Sequence, residues 1–285
     1  MSVLTGDGGP EYVCDLCPNL CRLRRGDAGA CRARAGGEKA VVSLNYGKLT
    51  SIALDPIEKK PLSRFHPGSK ILSIGSFGCN LRCPWCQNHG ISMAGAESPL
   101  HVETADPQGV AEEAARLSPA GNIGVAYTYN EPLVGFEFVY DTARAVKARG
   151  LKNVLVTNGY ANGPYWEKLL PLMDAMNIDL KSYRADFYKR IGGDLDVVKA
   201  NIRSAAAQCR VELTCLLIDG ENDSGAEMED MAGFIAGISE DIPLHISRAF
   251  PRYRYTGRAP TNLESMRRAA KIAKKRLRYV ELGNI

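Results

Sequence analysis

The stretch Gly78-Cys79-Asn80-Leu81-Arg82-Cys83-Pro84-Trp85-Cys86 sets three thiols in one short loop, spaced by three residues and then by two. An odd number of neighbouring thiols cannot all pair as disulfides. They suit a soft metal centre, and cysteine-rich runs of this kind hold iron–sulfur clusters. A four-iron cubane would take only three ligands from this loop. Its fourth iron would stay open to a substrate, a cofactor or a distant ligand.

A second group, Cys14, Cys17, Cys21 and Cys31, falls among Gly26, Gly29, Gly36 and Gly37, where few residues could build a core. Four thiols so close fit a closed site, either structural zinc or an auxiliary cluster, and the spacing leaves the metal open. Cys209 and Cys215 stand apart and are expected to pack as small apolar residues.

The elements around the first loop alternate regularly. Strands are expected at 71–75, 123–128, 153–157, 176–180, 211–218 and 243–248, with a last one near 279–282. Helices are expected from Asp106 to Leu117, Pro132 to Arg149, Leu195 to Cys209, Ala226 to Ile238 and Asn262 to Arg276. Asp106 followed by Pro107 reads as a helix start, and Gly150 as a helix stop. Repeated strand–helix units imply parallel strands with right-handed crossovers. The absence of a dinucleotide-binding glycine fingerprint favours an open or incomplete barrel. The fold class is therefore α/β, a core over 70–285 preceded by a cysteine-rich, metal-binding extension over 1–69. Within the extension, 41–44 and 49–54 suggest a hairpin, and Lys59 and Lys60 are expected in solvent.

Active sites of parallel barrels gather at the C-terminal ends of the strands. Here those ends carry the three-cysteine loop, Tyr127 to Pro132, Thr157-Asn158-Gly159-Tyr160, Asp179-Leu180-Lys181-Ser182 and His245-Ile246-Ser247-Arg248. Any one of them is weak evidence; five at one mouth indicate a shared site. Tyr127 and Tyr129, two residues apart, would face the same way in a regular strand. They are expected to line a substrate cavity with Lys181 and Arg248, although barrel-core packing suits the two tyrosines equally well.

Composition bounds the rest. The 285 residues are 45% hydrophobic and 24% charged, and no apolar run approaches the length of a membrane span. The first ten residues lack the basic start and apolar core of a signal peptide, so a cytoplasmic location is expected, with cysteines used as metal ligands or catalytic thiols rather than disulfides. The net charge of +4 is uneven: residues 244–285 hold eleven Lys and Arg against Glu264 and Glu281. That tail is where an acidic partner or anionic ligand would bind, though a solvated helix face accounts for most of its charges.

The Cys-x3-Cys-x2-Cys run with Trp85 before its last cysteine resembles the signature of the radical S-adenosylmethionine (radical SAM) enzymes. Over residues 70–285 the order of motifs resembles the activating enzymes of pyruvate formate-lyase and other glycyl-radical enzymes. It is most similar to the AmmeMemoRadiSam-system branch, through Cys14 to Pro18, Asp55 to Leu62, Cys86-Gln87-Asn88, Tyr127 to Pro132 and Tyr279 to Asn284.

The resemblance implies a partial (β/α)6 TIM-like barrel, an oxidoreductase, and a [4Fe–4S] cluster on Cys79, Cys83 and Cys86 with SAM chelating the open iron. One electron from a flavodoxin- or ferredoxin-like reductant would cleave SAM to methionine and a 5′-deoxyadenosyl radical, which abstracts hydrogen from a substrate. It places Asn130, Glu131, Asn158, Asp179 and His245 around SAM, with Glu131 accepting from the amino group. In the activases an Asp at the position of Asp179 helps bind a monovalent cation beside SAM; Val156 stands where they carry a further Asp. A polypeptide substrate follows by analogy. A small molecule or RNA is the alternative, with Arg248 to Tyr255 offering rings and cations to a nucleic acid. A non-catalytic iron–sulfur redox adaptor is the alternative of another class, disfavoured by the polar groups at the strand ends. No membrane partner is expected.

Overall fold

The computed structural model describes residues 3–6 and 9–285; residues 1, 2, 7 and 8, part of the stretch read for a signal peptide, lie outside the described residues. One eight-stranded sheet organises the chain. Its strands in sequence are β1 (Ser51–Pro56), β2 (Lys70–Gly75), β3 (Asn122–Tyr127), β4 (Lys152–Thr157), β5 (Ala175–Asp179), β6 (Arg210–Leu217), β7 (Leu244–Arg248) and β8 (Val280–Gly283). They lie side by side in that order, all parallel except β1, which runs antiparallel to β2. The sheet stays open, with β1 and β8 at its two edges. This is a partial TIM-like barrel, and each parallel strand falls where the sequence places one.

Helices α1 (Pro107–Arg116), α2 (Phe136–Ala148), α3 (Gly163–Leu169), α4 (Leu195–Ala206), α5 (Gly225–Ala236) and α6 (Leu263–Ala273) fill the six crossovers. Asp106 caps α1 by accepting from the N–H groups of Gln108 and Gly109, with Pro107 at the first helical position. The seven-residue α3 has no counterpart among the expected helices. It is too short for apolar periodicity to stand out, and burial of Trp166 and Leu169 holds it in place.

Strand alternation sorts side chains between two cores. Leu72, Val125, Leu155, Met176, Leu213 and Ile246 face the helices, while Ile71, Ala126, Val154 and Ala175 face inward at the N-terminal end of the barrel. There the chain from Ile57 to Phe65 plugs the barrel. Ile57 and Leu62 are fully buried against those inward residues, each stabilising the plug by roughly 1.5–3 kcal/mol.

The hairpin expected from 41–54 does not form. Val41–Ser43 pairs with Arg34–Gly36, Lys48–Leu49 pairs with Glu103–Thr104, and the remainder becomes β1. The edge of β2 offers six backbone partners and a buried face, which a two-stranded hairpin on its own lacks. Among the described residues no helix is long and apolar enough to cross a membrane.

Candidate active site at the barrel mouth

The three-cysteine loop leaves β2 and is fastened from several sides through its backbone. Gly78 N–H donates to Ile91, Cys79 N–H to the carbonyl of Cys31 (3.2 Å), and Arg82 N–H to Ile191. Asn130 Nδ2 donates to the carbonyls of Phe77 and Gly78, both at 3.1 Å. Asn80 bridges inward, donating to Tyr160 O at 2.6 Å and accepting from Asn158 Nδ2 at 2.9 Å. Gly78 has φ +90°, and a Cβ there would stand 2.5 Å from Cys31 O, so both conformation and space demand glycine.

Cys79, Cys83 and Cys86 all open on a cavity of about 350 Å³. Pro61 of the plug, Asn130 and Glu131 after β3, Val156 to Asn158 at the end of β4, Asp179 and Lys181 at β5, Thr214 on β6, Ser247 on β7 and Asn284 after β8 are also part of its wall. Asn158 Nδ2 lies 3.7 Å from Cys79 Sγ, and the N–H of Leu81 points at the same sulfur from 3.4 Å. Burial pushes the Cys79 thiol well above its ordinary pKa, with the Glu131 charge adding to the effect. Burial likewise pushes Cys83 up to about 11, against the pull of Lys181.

Three thiols on one chamber, with N–H donors aimed at the Cys79 sulfur, match the ligand set of an iron–sulfur cluster, which takes each thiolate on a separate iron.

Glu131 is buried, and its carboxylate accepts from Leu133 N–H (3.1 Å), Thr157 Oγ1 (2.7 Å) and Asn158 N–H (2.8 Å). Burial raises its pKa to about 7 in spite of those donors. Asp179 receives Lys181 Nζ at 2.8 Å at the cavity wall. Four of the five residues expected around SAM, Asn130, Glu131, Asn158 and Asp179, thus share one chamber with the thiols.

His245 sits elsewhere. Its Nε2 meets Glu212 Oε2 at 2.7 Å, deeper in the barrel. Glu212, wholly buried, also accepts from the N–H groups of Ser63 and Arg64 and so clamps the plug. Tyr127 and Tyr129 do not face the same way. Tyr127 turns to the helical layer and donates to Asn153 Oδ1, whereas Tyr129 leaves the strand with φ +71°, which breaks the alternation and brings it to the cavity wall. Arg248 donates from Nε to Thr261 O and does not line the cavity; its neighbour Ser247 does.

Lys60, expected in solvent, is only 2% exposed and pairs with Asp55 at 2.8 Å. Tyr129 Oη donates to the same carboxylate at 2.6 Å, and Lys59 reaches its other oxygen at 3.2 Å. Burial works against the Asp55 charge, but these donors more than offset it and hold the carboxyl below the usual range. Neither this group nor Glu212 was found from sequence. A polar residue alternating with apolar ones in Val211-Glu212-Leu213-Thr214-Cys215 was the available signal.

The four N-terminal cysteines occupy one neighbourhood. Cys14 N–H donates to Cys21 O at 2.9 Å, and Cys14, Cys17 and Cys31 are buried. Burial pushes Cys17 up to about 11, with repulsion from Cys31 and Cys14 adding to the shift.

Sequence comparison agrees with this geometry. The radical SAM superfamily profile matches residues 73–235. An uncharacterized protein of Methanocaldococcus jannaschii is 36% identical over 282 residues, 95% of this chain and 81% of that protein. The pyruvate formate-lyase-activating enzyme of Clostridium pasteurianum is 31% identical over 120 residues, 41% of this chain and about half (48%) of that enzyme. Among solved structures, Streptococcus suis SuiB bound to precursor peptide SuiA shares the fold with a TM-score of 0.57 at 13% identity, over 73% of this chain and 47% of SuiB. The chain belongs to the radical SAM superfamily, with homology to the pyruvate formate-lyase-activating enzymes.

Proposed function

We propose that Cys79, Cys83 and Cys86 hold a [4Fe–4S] cluster and that SAM binds beside it in the same chamber. The cluster and SAM together supply a one-electron cleavage that yields methionine and a 5′-deoxyadenosyl radical able to abstract hydrogen. The carrying observation is the shared wall: three thiols from one loop and Asn130, Glu131, Asn158 and Asp179 from three strand ends border a single cavity.

The chain's own part is placement and exclusion. Glu131, fixed by three donors, presents carboxylate oxygens to an ammonium group, which a buried and otherwise unpaired carboxylate favours. Asn158 is held by Asn80 and by Tyr160 N–H, so its amide needs no reorganisation when ligand arrives. Lys181 neutralises Asp179, and that pairing rather than a monovalent cation is the partner this reading gives the carboxylate. The plug closes the far end of the barrel against water.

The substrate in this reading is a polypeptide, by analogy with the activating enzyme of Clostridium pasteurianum and with SuiB and its precursor peptide. A second metal, zinc or a further cluster, on Cys14, Cys17, Cys21 and Cys31 completes the proposal; it enters no step, and 1–69 is the extension that carries it. The test is anaerobic reconstitution followed by incubation with SAM and strong reductant. Formation of 5′-deoxyadenosine is expected. A full iron and sulfide complement with no cleavage overturns the reading, and iron and zinc analysis of Cys17→Ser identifies the N-terminal metal.

A further inference from the structure

The segment from Ala249 to Pro260, between β7 and α6, does not enter the chamber; none of its residues lines it. It lies instead as a strap over the outer wall of the three-cysteine loop. Arg254 N–H donates to Pro84 O at 2.9 Å, and Gln87 Nε2 donates to Phe250 O at 3.0 Å. Side chains alternate along it. Tyr253 stacks on His89 with ring centroids 4.9 Å apart, and Tyr255 meets Trp85 edge-on at 5.8 Å. Arg252, Arg254 and Arg258 point into solvent.

Arg82, on the loop itself, is exposed as well. Among the described residues none of these four guanidinium groups has a carboxylate within ion-pairing distance. Arg254 and Arg258 are propped on the rings of Tyr253 and Tyr255. The result is a cationic face carried on Trp85 and His89, beside Cys83 and Cys86, with Asp219 the one carboxylate that borders a cavity together with Arg258.

We propose that this strap is the docking surface for an acidic, one-electron carrier protein. The inference rests on the function proposed above, which needs an electron from outside. A substrate must reach the chamber, whereas a carrier needs only closeness to the thiol loop, and the strap offers the second without the first. A single-stranded nucleic acid would need free rings on which to stack. Tyr253 and Tyr255 are already committed to His89 and Trp85, and the exposed ring of Phe250 is faced by Arg248, which favours the acidic protein. Unpaired arginines around a fixed patch steer such a partner and set its orientation. In the transfer the carrier is oxidised by one electron and the centre at Cys79, Cys83 and Cys86 is reduced by one; no bond forms or breaks.

The experiment uses the full reconstituted chain, reduced flavodoxin as the probe, and the triple variant Arg252→Glu, Arg254→Glu, Arg258→Glu. Flavodoxin affinity is measured at low and high salt, and reduction of the centre is followed by EPR. The variant is expected to bind at least about tenfold more weakly, with a shallower salt dependence, while dithionite reduces it as fully as the wild type. Unchanged flavodoxin affinity in the variant, or no flavodoxin binding by the wild type at low salt, overturns the proposal. So does a single-stranded RNA whose binding the variant loses while flavodoxin binding persists. Failure of SAM cleavage with dithionite would count against the proposed reaction alone, because binding and EPR do not depend on it.

Discussion

Cys31 and Cys79 are joined directly: the N–H of Cys79 donates to the carbonyl of Cys31 at 3.2 Å. One cysteine-rich segment thereby sets the backbone of the other. Asn19 strengthens the join by donating from Nδ2 to Asn80 O at 3.1 Å. The N-terminal segment is thus part of what holds the thiol loop in shape.

Gly78 tests this join. Gly78→Ala would put a methyl group 2.5 Å from Cys31 O in a left-handed conformation, so the two segments must separate. A loss of about 2 kcal/mol or more in denaturant stability is expected, with lower iron retention. Wild-type stability and iron content in this variant would show that the contact does not matter.

Cys83→Ala removes one of three thiols around the chamber. Iron and sulfide analysis after reconstitution should show the main-site cluster lost, without loss of fold by circular dichroism. Retention of a full complement would contradict the ligand assignment.

Glu131 carries a pH signature. Its carboxyl ionises near 4.5 in the unfolded chain and at about 7 in the fold, so the folded state holds the proton more tightly. The stability this gives is fully present below about 4.5 and is lost as pH rises through about 7. Glu131→Gln, a neutral mimic, should gain on the wild type by on the order of 3 kcal/mol across that window in urea titrations. A difference between the two proteins that does not change with pH would refute the shift.

Lys60→Met leaves Asp55 buried with Lys59 and the Tyr129 hydroxyl only. Breaking one side of a buried pair costs about 3–5 kcal/mol. Asp55→Asn with Lys60→Met should recover much of that loss, as a thermodynamic cycle would reveal. Additive losses would mean that the two side chains act separately.

His245→Ala frees Glu212 from one of its partners but leaves the Ser63 and Arg64 donors. A loss of about 1–3 kcal/mol in stability is expected, with SAM affinity close to wild type. Equilibrium binding that fell by orders of magnitude in a well-folded variant would return His245 to the ligand.

What the sequence made legible follows from how local each signal is. Cys79, Cys83 and Cys86 lie in one loop, and the βα alternation repeats often enough for one weak element to be outvoted by the rest. Asp55–Lys60 and Glu212–His245 needed the third dimension. A lysine is ordinarily solvated, and Lys60 is buried only because the plug carries it inside. His245 and Ser247 share the inward face of β7, and depth along the strand decides that Ser247 borders the chamber. Tyr129 turns away from the direction of Tyr127 because its positive φ breaks the period-two alternation of the strand.

The plug from Ile57 to Phe65 fills the N-terminal end of the barrel, and Pro61 is the part of it that borders the chamber. The barrel is thus a cup rather than a tube. Whatever binds against the thiols enters and leaves without crossing the end that Ile57 and Leu62 fill.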